Sequence, residues 1–249
     1  MIKFSFVTIN YNNSDGLTST LESYELLKSI TSQQYLIELV VIDGLSDNED
    51  QTVLNSKLDL IDVFVSEKDN GIYDAMNKGV RNATGDFICF MNSGDCIEPV
   101  GMNNFLNSIK DKSSWHIGSA KWTSEFVMFK RFEFSPFLLR MPNHQAMMLP
   151  TDFLRRHPFN VNYPIAADLD NKLFACKELH RVFSEYKIVL CTPGGKSQVI
   201  NGYKDLFSRS FEIGKIAFMH FGPLAVVINV IKYLLWHGLA KPLMKRIRF

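Results

Sequence analysis

Three runs rich in β-branched and aromatic residues, KFSFVTIN (3–10), IELVVID (37–43) and IDVFVSE (61–67), are each followed by polar or glycine-containing stretches, as strands closed by turns are. A fourth, GDFICFM (85–91), has the continuous apolar character of a strand buried on both faces. Between them the period changes. A helix is predicted over about Leu17–Ser29, and another over Ile72–Ala83, where Ile72, Ala75, Met76, Gly79, Val80 and Ala83 recur on one face. Short strands alternating with helices predict an α/β domain with a mainly parallel, doubly wound, Rossmann-like sheet flanked by helices. Beyond Pro99 the pattern loosens: a helix over about Gly101–Ile109, short strands in SWHIGSA (114–120) and EFVMFKRFEF (125–134), then NHQAMMLP (143–150), a loop, and a helix beginning near AADLDNKLFACKEL (166–179).

The last stretch differs in kind. IAFMHFGPLAVVINVIKYLLW (216–236) approaches the roughly 20 apolar residues of a spanning helix, but His220, Gly222, Pro223, Asn229 and Lys232 interrupt it. No acidic residue follows Glu212, whereas Lys215, Lys232, Lys241, Lys245, Arg246 and Arg248 do. An interfacial or shallowly inserted membrane-associating segment is predicted, with Tyr233, Trp236 and the basic tail at the headgroups; a soluble core or dimer helix is the alternative. The expected organisation is a domain over 1–207 and a C-terminal helical segment over 208–249.

At 249 residues, 46% hydrophobic and 21% charged, the chain has the makings of one main domain with a real core and is not a disordered protein. A formal net charge of +1 gives no global field for nucleic acid. Four cysteines without a CxxC pair fit a reduced, cytosolic chain, and MIKFSFVTINYNN turns polar too soon for a signal peptide.

Candidate chemistry gathers at the predicted strand ends, where open α/β sheets bind ligands. Asp43-Gly44 closes the second strand: either a turn, or a carboxylate facing a base or ribose with glycine admitting the ligand. In SEKDNGIYDAMNKG, Asp69 and Asp74 suit a turn and a helix start, while Asn77 and Lys78 are of the types that hold sugar hydroxyls and phosphates. NSGD (92–95) is a turn or part of a divalent-metal site, with Asp95 as ligand and Asn92 as its neutral neighbour. His144 and Gln145 precede an apolar run, and Asp168 and Asp170 sit at a helix start; each pair has a structural explanation, and Asp168 has a functional one as general base.

Together, VTINYNN, VVIDGLSD, SEKDNGIYDAMNKGVRNATGDFICFMNSGD, HQAMM, IAADLD and TPGGKS resemble the family 2 glycosyltransferases of the GT-A fold, in particular the branch found in bacterial polysaccharide synthesis, colanic-acid-type transferases included. The resemblance spans most of residues 1–200. It implies a nucleotide-sugar donor, UDP- or GDP-linked, lying across the strand ends: Thr8 and Asn10 line the nucleotide pocket, Asp43 faces the base, Asp69, Asn77 and Lys78 hold the nucleotide or its diphosphate, and Asn92, His144 and Gln145 adjoin the donor. Asp95 then coordinates Mn²⁺ or Mg²⁺ and Asp168 is the base of an inverting transfer. Many relatives carry an acidic triplet where this chain has NSGD, so fewer charges face the metal. The implied acceptor is a polyprenyl-diphosphate-linked saccharide at the cytoplasmic face of the inner membrane. Other readings are a nucleotidyltransferase, or an inactive sugar-nucleotide-binding subunit of an assembly complex; a homo-oligomer is compatible with each.

Overall fold

The computed structural model describes residues 1–31, 33–122, 134–191, 200 and 202–236. Strand β1 (Ile2–Asn10) lies between β2 (Tyr35–Asp43) and β4 (Phe87–Asn92), parallel to both, and β3 (Val63–Ser66) extends β2 in parallel. All four therefore present their carboxyl ends at one edge, with Asn10 opposite Asp43, Asp43 opposite Ser66, and Ile9 opposite Asn92. The other half of the sheet is mixed. Strand β7 (Met147–Pro150) is antiparallel to β4 and to β6 (Trp115–Trp122), β8 (Arg181–Cys191) is parallel to β6, and the short β5 (Cys96–Ile97) closes the far edge antiparallel to β8. The strand order is β3-β2-β1-β4-β7-β6-β8-β5.

Alternation of side chains divides the sheet's residues between two hydrophobic layers. Phe4, Phe6, Leu39, Val41, Phe87 and Cys89 pack with Leu17 and Leu21 of α1 (Ser14–Ile30) and with Met102 and Phe105 of α4 (Pro99–Ser108). Val7, Ile9, Val40, Ile42, Ile88 and Phe90 pack on the opposite side with Ala75 and Met76 of α3 (Ile72–Asn82), Phe153 of α5 (Thr151–Arg156) and Leu173 of α6 (Ala167–Glu178). A sheet covered on both faces explains why these strands read as continuous apolar runs. Two glycines permit close layers: a Cβ on Gly79 would lie 2.3 Å from Val7 Cγ1, and one on Gly101 only 1.8 Å from the Lys187 carbonyl oxygen.

Some elements depart from the periodicity. The loop expected after Pro150 is the short helix α5. Helix α2 (Asn48–Ser56), begun by Asp47 accepting from Glu49 N–H, buries little apart from Leu54 and Asp50 and so lacks an apolar stripe. Strand β8 is half-exposed over its first seven residues, which hides the strand period. Most of EFVMFKRFEF, and TPGGKS at 192–197, lie outside the described residues.

Helix α7 (Gly202–Phe221) crosses residue 208, where a separate segment was expected to begin, and buries Leu206, Ile216 and Ala217. Gly222, at φ 80°, reverses the chain, and α8 (Pro223–Leu235) starts with proline in its first turn. Among the described residues no helix is long and apolar enough to cross a membrane.

Candidate active site

At the ends of β1 and β2, Asp43 is fully buried. It accepts hydrogen bonds from Asn10 Nδ2 (3.0 Å), Ser46 N (3.1 Å), Gln51 Nε2 (3.0 Å) and Ser66 Oγ (2.7 Å), as well as from the Ser46 hydroxyl. Burial alone would raise its pKa, but these donors outweigh burial and hold it below the usual carboxylate value. Asn10 donates in addition to the buried Asp50 (2.8 Å) and accepts from Ser93 Oγ (2.7 Å), so one amide ties β1 to α2 and to the turn after β4. Thr8, 1% exposed, leaves its hydroxyl oxygen without a partner. Ser46, Asp50, Gln51 and Ser66 were not singled out from sequence; the capping residue and first-turn acids of α2 were the available signal.

The loop before α3 forms the second wall. Asp69 accepts from Gly71 N–H (2.9 Å), and its Oδ2 stands where a side chain on Gly44 would lie, 2.6 Å from that Cβ position. Gly71, at φ 113°, makes the turn into α3. Lys78 donates to the Lys68 carbonyl (2.8 Å) and pairs with Glu67 (3.0 Å), bracing the loop from below. Asn77 donates to the Phe159 carbonyl (2.9 Å) and accepts from the Phe159 N–H (2.9 Å). Both polar ends of that amide thus clamp α3 to the segment before α6.

Beyond β4 a continuous polar chain runs to α6. Asn92 Nδ2 donates to His144 Nε2 (3.1 Å), whose Nδ1 lies 3.6 Å from Asp168 Oδ2. Asp168 Oδ2 pairs with Lys172 Nζ at 2.8 Å, while Oδ1 accepts from the Tyr73 hydroxyl at 3.0 Å. Lys172 also donates to the Pro142 carbonyl (3.1 Å). Burial opposes ionisation of Asp168, yet Lys172 and His144 prevail and keep its carboxyl far below the ordinary range. The same burial, with the Asp168 charge beside it, raises the Tyr73 hydroxyl well above its usual value, so Tyr73 acts as a neutral donor. The Asp168 side chain remains 18% exposed. Asp95, 6% exposed, accepts from Gln145 Nε2 (2.9 Å); consecutive residues of the His144–Ala146 turn therefore hold Asn92 and Asp95. Nearby thiols stay protonated: burial, then the Asp95 charge, pushes Cys191 up to about 12.

Of the residues expected at a site, Asn92, Asp95, His144, Gln145 and Asp168 converge, and Thr8, Asn10 and Asp43 line the adjacent strand ends. Lys172 could have been read from its spacing of four after Asp168 on one helix. Tyr73, 95 residues away in sequence, left no such signal. Nor did Glu212 of α7, which accepts from the N–H groups of Ile165 (3.0 Å) and Ala166 (2.6 Å) and thereby caps α6, a helix without a side-chain cap of its own. Asp170 of α6 meets buried His220 of α7 at 2.7 Å.

Among the described residues no three His, Cys, Asp or Glu side chains cluster as a metal site. The orphaned Asn92 Oδ1, buried without a partner beside the turn that holds Asp95, nevertheless fits an oxygen-seeking cation that draws its remaining ligands from a diphosphate.

Comparisons agree with this geometry. Two Mycobacterium tuberculosis proteins described as uncharacterized glycosyltransferases, Rv1514c and MT1564, are each 39% identical over 93 residues; the match covers 36% of this chain and 33% of theirs. The crystal structure of S. aureus TarS 1-349 superposes with a TM-score of 0.65 at 15% identity, covering 94% of this chain and 72% of that one. The same protein in complex with UDP-GlcNAc gives 0.63 at 14%, covering 94% and 73%. The mannosyltransferase PcManGT from Pyrobaculum calidifontis, in complex with GDP-Man and Mn²⁺, gives 0.56 at 14%, covering 93% and 69%. At such identities these likenesses establish the GT-A fold. Residues 5–130, half of the chain, match the family model described as glycosyl transferase family 2, and the chain belongs to that family.

Proposed function

We propose that this protein is an inverting glycosyltransferase that moves a sugar from a UDP- or GDP-sugar to a hydroxyl of a polyprenyl-diphosphate-linked saccharide, working at the cytoplasmic face of the inner membrane. The observation that carries the reading is Asp168: a partly exposed carboxylate kept ionised by Lys172 and His144, and bonded by Tyr73, at the carboxyl edge of the parallel strands. Donor complexes of the neighbouring structures, one with UDP-GlcNAc and one with GDP-Man, support a nucleotide-sugar donor and leave both bases in play.

In this reading the base and ribose lie over Asn10, Asp43 and the Asp69 loop, with Thr8 beneath. Asp43 acts mainly by holding Ser46, Gln51 and Ser66 in place, since its oxygens are already engaged. Lys78 and Asn77 act through the loop and helix that they brace. The sugar and diphosphate lie toward Asn92, His144 and Gln145. Asp95 and the Asn92 carbonyl would hold Mn²⁺ or Mg²⁺ jointly with diphosphate oxygens, and the bound ion would neutralise charge on the departing nucleoside diphosphate.

As the acceptor oxygen bonds to the anomeric carbon, the bond from that carbon to the diphosphate oxygen breaks and its electron pair leaves with the nucleoside diphosphate. The acceptor proton passes to an Asp168 oxygen. A carboxylate held so firmly ionised is a weak base, and a weak base suffices: the acceptor oxygen becomes strongly acidic once its bond to carbon has begun to form.

Asp168→Asn should lower transfer by about 10² or more while leaving the thermal shift produced by the nucleotide sugar close to wild type. Turnover within a few-fold of wild type would remove Asp168 as the base. Product analysis separates a nucleotidyltransferase, which releases pyrophosphate, from a transferase releasing nucleoside diphosphate. An inactive subunit would bind donor and release neither.

A further inference from the structure

Helices α7 and α8 pack closely at Gly214, where a Cβ would stand 3.2 Å from Val230 Cγ2 and 3.6 Å from Val226 Cγ1. The inner side of the pair is polar and tied down. Glu212 caps α6, His220 meets Asp170, and Asn229 donates to the Phe137 carbonyl (2.8 Å). The outer side is the reverse of an ordinary solvated face. On α7, Phe207, Phe211 and Phe218 are 63%, 67% and 60% exposed. On α8, Leu224, Val227, Ile231 and Leu235 are between 51% and 65% exposed, at spacings of three and four that keep them on one stripe. Of the 21 large hydrophobic side chains exposed among the described residues, 10 lie between Tyr203 and Trp236, so this is a concentrated patch rather than scattered exposure.

Charge identifies what covers it. The exposed charged side chains of the two helices are lysines, Lys204 and Lys215, with the Lys232 ammonium tied to the Leu138 carbonyl, whereas Asp205 is paired with Arg209 at 2.6 Å and Glu212 is buried. In the sequence, four more cations and no acid follow Trp236. A second copy seated on the same patch would set lysine against lysine. An anionic bilayer meets both the apolar stripe and the lysines, and neither helix is long and apolar enough to span it.

We infer that the outward face of α7 and α8 docks in the plane of an anionic phospholipid surface, with Phe207, Phe211 and Phe218 of α7 and Val227 and Ile231 of α8 entering the boundary between headgroups and acyl chains. The inference deepens the membrane-surface reading above by assigning the surface, its orientation and its lipid charge. Docking in that plane also orients the strand-end site, because the same helix α7 that faces lipid outwardly caps the Asp168-bearing helix inwardly.

The test is flotation of the full chain with vesicles of phosphatidylcholine alone and of phosphatidylcholine with 30 mol% phosphatidylglycerol, at low and high salt, for wild type, for Phe211→Ser/Ile231→Ser, and for Leu26→Ser, an exposed apolar position on α1 away from the patch. Wild type and Leu26→Ser should float with the anionic vesicles, binding should weaken at high salt, and the double variant should lose roughly tenfold or more in partitioning. Circular dichroism and donor-induced thermal shift check that the double variant is folded. Equal partitioning of the double variant, absence of wild-type binding to anionic vesicles, or sedimentation showing that the substitutions instead dissolve a dimer would each overturn the inference. Flotation needs no donor and no turnover. A protein that floats but releases no nucleoside diphosphate refutes the transfer reading alone, and one that transfers sugar but never floats refutes the docking alone.

Discussion

Glu38 lies on β2 at the end of the sheet opposite the candidate site, with a side chain 4% exposed. It accepts from Ser5 Oγ (2.5 Å), Thr84 N (2.6 Å), Thr84 Oγ1 (2.6 Å) and Gly85 N (3.1 Å), and it pairs with Lys3. These bonds pin the link between α3 and β4, and β4 carries Asn92 at its far end. Burial by itself would raise the Glu38 pKa; Lys3, Ser5 and Thr84 overcome it and bring the carboxyl from 4.5 down to about 2. A shift of that size corresponds to about 3 kcal/mol of preference for the ionised form in the folded state. Since the folded pKa is the lower one, this contribution is fully present above pH 4.5 and disappears as pH falls through 2. Glu38→Gln keeps the shape and one acceptor but not the charge. It should cost about 2–3 kcal/mol at pH 7 and only about 1 kcal/mol at pH 3, because the wild-type advantage has by then largely titrated away. Urea denaturation of both proteins at the two pH values measures this directly. Donor KM should not move, given where Glu38 lies. A penalty that is the same at pH 7 and pH 3 would show that packing, not charge, is what Glu38 supplies.

Further outcomes follow from individual contacts. Lys172→Met removes the cation that keeps Asp168 ionised, so the acid limb of the pH–rate profile should move to higher pH and transfer at pH 7 fall by about tenfold or more; an unshifted limb would dissociate Lys172 from the base. Asn77→Ala strands both Phe159 backbone groups and should cost about 1–3 kcal/mol in urea denaturation, with any donor-affinity change following from loosened α3; a large loss of donor binding at unchanged stability would instead place Asn77 on the ligand. Gly101→Ala drives a methyl into the Lys187 carbonyl and should destabilise by at least about 1–3 kcal/mol, visible as a lowered melting temperature, while Gly71→Ala would strain a left-handed turn without a steric clash.

The parallel half of the fold was legible in sequence because its strands are buried on both faces and its helices α1 and α3 each carry one apolar stripe. The mixed half was less so. β8 mixes charged, polar and apolar side chains without a regular period over a half-exposed first stretch, and α2 is held by capping and by Asp50 and Leu54 rather than by a stripe. At the site, side chains just past strand ends were readable, because type and position alone mark Asn92, Asp95 and Asp43. What those side chains do to one another was not. Asn77 and Lys78 read as ligand-holding types, and the backbone contacts they make, with Phe159 and with the Lys68 carbonyl, could not be read from type or position. Partners such as Tyr73 and Glu212 come from distant segments, and proximity created by folding leaves no periodic trace in one chain.

The carboxylate of Glu212 at the head of α6 constrains how such an enzyme can be rebuilt. Exchanging the C-terminal helices for those of another transferase, in order to send it to a different surface, would also uncork the helix that carries Asp168 unless the donor part brings its own acceptor for the Ile165 and Ala166 amides. Address and chemistry are soldered along the inner side of α7, at Glu212 and again where His220 meets Asp170, so a successful chimera has to carry both contacts across the junction.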